Sequence, residues 1–184
     1  TRAASAGRVP RGAEPVIGDA LEATTFATQI APADTLVHLV GTPHPGPGKA
    51  AQFRAVDLRS IEAAVEAAKL AGVRHFIYLS VAQPAPVMQA YIDVRAQGEA
   101  MVRASGMAAT ILRPWYVLGP GHRWPILLAP LYALARLSPA TRETADRLGL
   151  VRLDEMVAAL VKAIEDVPEG VRMLGVEAIR AIRS

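Results

Sequence analysis

Short aliphatic runs alternate along the chain with segments whose apolar residues recur at helical spacing. Leu36 to Gly41 has the composition of a buried strand, and apolar residues recur every three or four positions from Ala51 to Ala71. Gly72 follows at the point where a helix would require a left-handed cap. A further aliphatic strand is predicted from Arg74 to Val81. This order predicts strand–helix–strand units that form a parallel sheet.

The same alternation continues in the second half of the chain. The other predicted elements are a short strand at Glu14–Gly18, a helix at about Val87–Ala104, a strand at Ala109–Leu112, a helix from about Asp154 and a final strand at Val171–Val176. The pattern therefore predicts an α/β fold. We expect residues 1–184 to form a single domain, in which about 122–150 make a small helical substrate cap.

The composition narrows the classes of function. Hydrophobic residues make up 52% of the chain, the mean hydropathy is +0.25 and the net charge is only +3, with the basic residues scattered. We therefore expect no nucleic-acid partner. Absence of cysteine excludes disulfides and thiolate nucleophiles and agrees with a reducing compartment, so we expect a cytoplasmic protein. The four histidines and the carboxylates show no metal-ligand spacing, and we expect no metal.

The run from Trp124 to Ala135 carries no charge and lies between Arg123 and Arg136. It is too short to span a membrane, which takes about 20 residues. It could line a hydrophobic substrate pocket, form a dimer surface, be a buried helix of the cap, or insert shallowly at a membrane interface. A pocket there would indicate a lipophilic substrate, such as a quinone or an isoprenoid-like carbonyl compound.

Ser80 ends a predicted strand, and Tyr91 and Arg95 share a face of the next predicted helix because they are four residues apart. This set resembles the Ser, Tyr and Lys site of short-chain dehydrogenase/reductases, with arginine in the lysine position. Arginine stays charged and cannot adjust its pKa as a buried lysine can. Alternatively, Tyr91 is an ordinary half-buried helix residue and Arg95 forms a surface ion pair with Glu99.

A longer resemblance runs from about residue 14 to 175. The order GVRHFIYLS, YIDVR, TILRP and VLGPG is similar to that of the atypical and extended short-chain dehydrogenase/reductases, in particular the NAD(P)H-binding subgroup of NmrA-like and epimerase-like proteins. The resemblance implies a Rossmann-type doubly wound sheet. It also implies a dinucleotide bound across the carboxyl ends of the strands.

The resemblance assigns residues to the adenosine end of such a cofactor. Asp19 would accept a hydrogen bond from the adenine amino group, and Ala20 would lie beside it. Val40, Gly41 and Thr42 would form the strand end that passes the adenosine ribose, where glycine permits close approach.

At the nicotinamide end, the resemblance implies that Ser80 positions the substrate, Tyr91 donates the proton and Arg95 holds the nicotinamide ribose. The neighbourhood of Pro114 would touch the nicotinamide, with residues 115–117 (Trp, Tyr and Val) close behind. In this interpretation the chain is an NAD(P)-dependent oxidoreductase or epimerase-like enzyme that transfers a hydride between the cofactor and a carbonyl or alcohol substrate. The alternatives are a non-catalytic NAD(P)H-binding regulatory or assembly module, and a chain without activity of its own.

The Gly-rich phosphate loop of the family does not occur in the chain. Thr1 and Arg2 would correspond to the residues that follow the second strand, so we expect an N-terminally truncated sequence that begins roughly fifty residues late. An arginine at that point would bind a 2′-phosphate, which favours NADP over NAD.

This layout leaves the strand at Leu36–Gly41 as an uncovered apolar edge, and such edges associate. We therefore predict that the 184-residue chain is poorly stable or forms homo-oligomers. Analytical ultracentrifugation combined with thermal unfolding checks this, and a monomer with a cooperative melt would contradict it.

Overall fold

A computed structural model describes residues 1, 3–121 and 124–182. The strands are β1 (Thr35–His38), β2 (His75–Leu79), β3 (Ala108–Arg113), β4 (Tyr116–Leu118), β5 (Leu150–Arg152) and β6 (Val171–Gly175). In the described part of the chain, a four-stranded parallel sheet has the order β1-β2-β3-β6, and β4 pairs with β5 in a small parallel sheet. Parallel strands linked by helices confirm the predicted α/β class.

The helices are α1 (Ala27–Ile30), α2 (Ala50–Gln52), α3 (Arg59–Leu70), α4 (Gln89–Ala104), α5 (Ala129–Ala135), α6 (Pro139–Arg147), α7 (Leu153–Glu165) and α8 (Val176–Ala181). Short 3₁₀ segments occur at Ala3–Arg8, Ala23–Thr25, Pro47–Lys49 and Trp124–Leu128. A π-helical segment, Phe53–Leu58, connects α2 directly to α3. Wide turns of this kind are frequent at functional sites.

Successive side chains of each strand point to opposite faces of the sheet, and each face is buried against a different set of helices. On one face, Phe76 and Tyr78 of β2 pack against α3 and α4. On the other face, Ile77 and Leu112 pack against α7 and α8. Helices therefore cover both faces, as the predicted doubly wound arrangement requires.

Most of the long predicted elements are confirmed within a few residues, and Gly72 has the expected positive φ of 71°. The predicted strand at Glu14–Gly18 is wrong, because this segment has no regular structure. Pro15 supplies no backbone donor for a ladder. The strand predicted up to Gly41 ends at His38, and Val40 is exposed. The strand order places β1 at one edge of the described sheet, which confirms the predicted edge.

The uncharged run forms the 3₁₀ segment Trp124–Leu128 followed by α5. None of the α5 residues is buried, so the interpretation of this run as a buried helix is wrong. This short helix contacts α6 and the preceding 3₁₀ segment and leaves Leu131 and Leu134 exposed. Among the described residues, no helix has the length and apolar character needed to cross a bilayer.

His38 lies buried in β1, and its ring is near the rings of Phe76 and Tyr78, with centroid distances of 6.4 and 5.6 Å. Burial, and then the charge of Arg95, lower the pKa of His38 to about 4. An imidazole in an unfolded chain titrates near 6.5. His38 is therefore neutral in the folded protein at pH values where the unfolded chain already binds a proton.

We predict that the free energy of unfolding falls by up to about 3 kcal/mol as the pH is lowered from about 6.5 to about 4, because the unfolded state then gains a proton that folded His38 does not bind. Urea unfolding of the wild type and His38→Leu across this range checks it: the substitution should remove that part of the pH dependence. His44→Asn is the control, since His44 is exposed at a φ of 49° that asparagine tolerates. Equal pH slopes in the wild type and His38→Leu would contradict the prediction.

Candidate functional site

A cavity of about 260 Å³ lies beside β1. Ala20 and Val40, which the sequence assigns to the adenosine end of a dinucleotide, both line it. Thr1 and Gly18 line the same cavity, and the Gly18 N–H donates to the Thr1 carbonyl at 3.0 Å. The structure therefore brings the first residue of the chain and two of the assigned residues to one place.

Asp19 lies between Gly18 and Ala20 on an exposed loop. Its Oδ1 accepts from the Leu21 N–H at 2.9 Å, and its own N–H donates to Thr25 Oγ1 at 2.9 Å. These bonds fix the loop while the carboxylate stays accessible to solvent. Arg2, the residue assigned to a 2′-phosphate, lies outside the described residues.

Asp57 is buried in the π-helical segment, and its carboxylate accepts hydrogen bonds both from the loop that follows β1 and from α4. Its Oδ2 accepts from Thr42 N–H at 3.1 Å and from Thr42 Oγ1 at 2.5 Å, and its Oδ1 accepts from Arg95 Nη2 at 2.7 Å. Both side chains of the ion pair are almost fully buried. A Cβ on Gly41 would lie 2.3 Å from Arg95 Nη2, so the pair requires glycine there.

The guanidinium of Arg95 is held on several sides. Nη1 donates to the Leu79 carbonyl at 3.1 Å, and the guanidinium carbon lies 5.1 Å from the ring centroid of Tyr91 and 5.8 Å from that of Tyr78. Such cation–π contacts are strongest where water is excluded. The alternative of a surface ion pair between Arg95 and Glu99 is wrong, because Arg95 is buried and pairs with Asp57.

Glu99 is the second buried carboxylate of the site, one helical turn beyond Arg95 on α4. Its oxygens accept from Ser80 Oγ at 2.6 Å, Gln83 Nε2 at 2.8 Å, Arg113 Nε at 2.8 Å and Arg103 Nη2 at 3.0 Å. Burial raises the pKa of Glu99, but the bonds from Arg113 and Ser80 outweigh it, so the pKa is lowered. The Ser80 hydroxyl is therefore engaged as a donor to a carboxylate.

Tyr91 is half-buried at the start of α4, with its ring 5.0 Å from that of Phe53. Burial raises the pKa of the phenol, the charge of Arg95 lowers it and that of Asp57 raises it, and the net pKa is above the ordinary value. A phenol with a raised pKa keeps its proton at neutral pH. Tyr91 therefore carries its proton at neutral pH, and the same raised pKa makes the phenol a weaker acid than an ordinary tyrosine.

The segment after β3 closes the site on the other side. Pro114 is buried, and its carbonyl accepts from the Ala82 N–H at 2.9 Å. The rings of Trp115 and Tyr116 lie 5.6 Å apart, and Val117 continues into β4.

A continuous set of contacts connects the cavity with the tyrosine. Val40 lines the cavity, Gly41 lies against the guanidinium of Arg95, and that guanidinium lies over the ring of Tyr91. Because β1, β2 and α4 present these groups at the carboxyl ends of parallel strands, the arrangement can hold an extended ligand with one end beside Ala20 and the other beside Tyr91.

Two charged residues of the site were missed in the sequence. Asp57 follows Phe53 by four residues and precedes Ile61 by four, so it lies on the apolar face of a predicted helix. A carboxylate buried on such a face requires a cation beside it. The position of Asp57 on the apolar face was therefore the signal in the sequence that could have identified it as part of the site. In the interpretation of the sequence, Glu99 is only a surface ion-pair partner of Arg95.

Residues 2–123 match the protein family described as NAD(P)H-binding. The chain is also 32% identical over 109 residues to a ceramide reductase from Caulobacter vibrioides (strain NA1000 / CB15N), a match that covers 59% of this chain and 34% of the reductase. The chain thus corresponds to about a third of that relative.

Solved structures share the fold. The enzyme WbmH from Bordetella bronchiseptica, in complex with NAD+, has a TM-score of 0.65 at 18% identity, over 91% of this chain and 61% of WbmH. A nucleoside-diphosphate-sugar epimerase from Staphylococcus aureus has a TM-score of 0.63 at 19% identity, over 91% and 58%. A short-chain dehydrogenase/reductase superfamily protein from Agrobacterium tumefaciens with bound NAD has a TM-score of 0.62 at 18% identity, over 90% and 66%.

We predict that Asp57→Asn lowers the free energy of unfolding by about 3 kcal/mol, because it leaves the Arg95 charge buried without a counter-charge. Adding Arg95→Met should recover part of this loss, since that charge is then gone. Asp34→Asn is the matched control: it breaks the exposed Arg74–Asp34 pair, whose atoms are 2.6 Å apart against 2.7 Å in the buried pair, and should cost less than about 1 kcal/mol. Urea unfolding measures all four proteins, and equal losses for Asp57→Asn and Asp34→Asn would contradict the prediction.

Proposed function

The chain belongs to the NAD(P)H-binding family, within the short-chain dehydrogenase/reductase superfamily that its sequence resembles, and we propose that it takes part in a reduction. The reaction would be the reduction of a lipophilic carbonyl compound by a nicotinamide cofactor. The observation that carries the proposal is the continuous set of contacts from Val40 through Gly41 and Arg95 to Tyr91. It joins a cavity suited to one end of a dinucleotide with a proton donor at the other.

The residues present are compatible with the adenosine and nicotinamide ends of the cofactor. Ala20 and Val40 offer apolar walls for the adenine, and the exposed carboxylate of Asp19 can accept from its amino group. Pro114 and Tyr91 would flank the nicotinamide. The chain contains no Gly-rich phosphate loop, so the proposal assigns no residues to the pyrophosphate. We propose NADP as the preferred cofactor, since Arg2 follows directly on Thr1, which lines the cavity.

When bound, the nicotinamide supplies the hydride. The residues of this chain would supply the proton: the Tyr91 phenol, kept protonated by its raised pKa, donates it to the carbonyl oxygen of the substrate. Arg95 would stabilise the phenolate that remains, although Asp57 offsets much of its charge. Ser80 would orient the substrate oxygen only once its hydroxyl proton turns away from Glu99, to which it donates in this structure.

A lipophilic substrate is proposed from the surroundings of Tyr91. Its ring packs in a cluster with Ile92 and Leu148, against which Trp115 and Tyr132 also pack. These groups offer few polar partners to a hydrophilic ligand. The similarity to a protein named ceramide reductase supports the same class of substrate.

A second function is favoured by one observation. Arg95 already donates hydrogen bonds to Asp57 and to the Leu79 carbonyl, and a cation with these partners is poorly placed to hold a ribose. The chain would then bind NAD(P)H without turnover, as a regulatory or assembly module.

We predict that Tyr91→Phe abolishes reduction of long-chain aliphatic ketones while changing the affinity for NADPH by less than about threefold, because only the proton donor is lost. Tyr78→Phe is the matched control: its ring also lies against Arg95, but Tyr78 is fully buried and inaccessible to a substrate. Titration of NADPH and NADH by tryptophan fluorescence gives the affinities, and NADPH oxidation gives the rates.

Rates should rise with the chain length of the ketone if the substrate is lipophilic. NADPH binding without turnover on any ketone would favour the module. Absence of binding by the folded chain would overturn both functions, and unchanged turnover in Tyr91→Phe would remove the proton-donor role.

A further inference from the structure

Five large aliphatic side chains project into solvent around α5. They form what we term the leucine surface: Ile126, Leu127, Leu131, Leu134 and Leu137. Each of these residues is between 57% and 78% exposed. Contiguous exposed apolar residues of this kind usually mark an interaction site.

The orientation of α5 is set by its opposite side. Tyr132 packs with Trp115 against the buried cluster that also contains the ring of Tyr91. Leu131 and Leu134 lie on the other side of the helix because residues three apart share a face. A rotation of α5 that turned the leucine surface inward would remove Tyr132 from this cluster. The packing of Tyr132 therefore keeps the leucine surface exposed to solvent.

Arginine is the main charged residue in the sequence that contains the leucine surface. Residues 100–142 contain no Asp or Glu, and the cations there are all arginines. Arg136 donates to Asp146 at 2.6 Å and remains 39% exposed, whereas the exposed Arg142 donates to the Arg136 carbonyl and, among the described residues, to no carboxylate. An apolar helix face bordered by Arg136 and Arg142 is therefore present, and the nearest carboxylate along the sequence, the exposed Glu143, pairs with Arg147.

We propose that the leucine surface docks on an anionic lipid bilayer, with α5 lying in the plane of the interface. Leucines that face the acyl chains and arginines that face anionic headgroups are the features by which helices bind in this way. Trp124, which is 53% exposed, starts the segment at the depth where indole rings are favoured.

The same charges disfavour a second copy of the chain. A two-fold symmetric contact brings the same patch of both copies together, so that Arg136 and Arg142 would lie near their own counterparts. A bilayer with negative headgroups has the opposite charge. Docking there does not depend on the proposed reductase activity.

Co-flotation with vesicles tests the proposal on the 184-residue chain. We predict binding to vesicles of phosphatidylcholine and phosphatidylglycerol in equal parts, and about tenfold weaker binding to phosphatidylcholine alone. The triple variant Leu127→Gln, Leu131→Gln and Leu134→Gln should lose at least about tenfold in binding, because glutamine keeps the helix but not the apolar face. Arg142→Gln should reduce binding to the anionic vesicles only.

Two control substitutions lie elsewhere on the surface. Leu70→Gln replaces a leucine that is 67% exposed at the end of α3, and Arg54→Gln replaces an exposed arginine of the π-helical segment. Both should bind vesicles as the wild type does. The blue shift of tryptophan emission on addition of vesicles gives a second readout.

Equal binding of the wild type and the triple variant would overturn the proposal, as would binding that does not depend on phosphatidylglycerol. Dimerisation without lipid that the triple variant abolishes, together with no vesicle binding, would assign the leucine surface to a second copy instead.

Discussion

The ion pair between Arg95 and Asp57 joins three segments that are distant in the sequence: the end of β1, the π-helical turn before α3, and α4. Each charge is buried, so each requires the other, and removing either would leave an uncompensated ion in an apolar interior. Thr42 donates to the Asp57 carboxylate and the Leu79 carbonyl accepts from Arg95 Nη1, whereas the buried Nε of Arg95 has no hydrogen-bond partner. The strand ends and the helix that carry the site are therefore positioned by one electrostatic contact.

A second network repeats this arrangement one turn further along α4. Glu99 is surrounded by Ser80 and by the guanidinium groups of Arg103 and Arg113. The two buried carboxylates thus engage the cation and the serine hydroxyl of the site. Burial raises the pKa of both Tyr78 and Tyr91, so both phenols beside Arg95 are neutral at neutral pH.

Much of the sheet and its long helices could be predicted because β2, β3, α3, α4 and α7 have clear apolar periods. The three-residue strands β4 and β5 and the polar helix α6 carry no such period, and they form through contacts between segments far apart in the chain. The assignment of Asp19, Ala20, Val40 and Tyr91 to a cofactor site rests on motif order and stays a prediction. The partners of Arg95 and Ser80 could not be predicted, because a carboxylate in a helix is as compatible with a solvated surface as with a buried pair until the packing is known.

Gly41 limits how this sequence can change. Its missing side chain makes room for a guanidinium that donates through two different nitrogens, to Asp57 and to the Leu79 carbonyl. A lysine at position 95 would present all its donors from a single nitrogen instead of from two. Replacing Arg95 by lysine would therefore change the contacts of Asp57 and of the Leu79 carbonyl and the use of the space that Gly41 leaves open. Positions 41, 57 and 95 are coupled by direct contact, so a redesign of the site would have to consider them together.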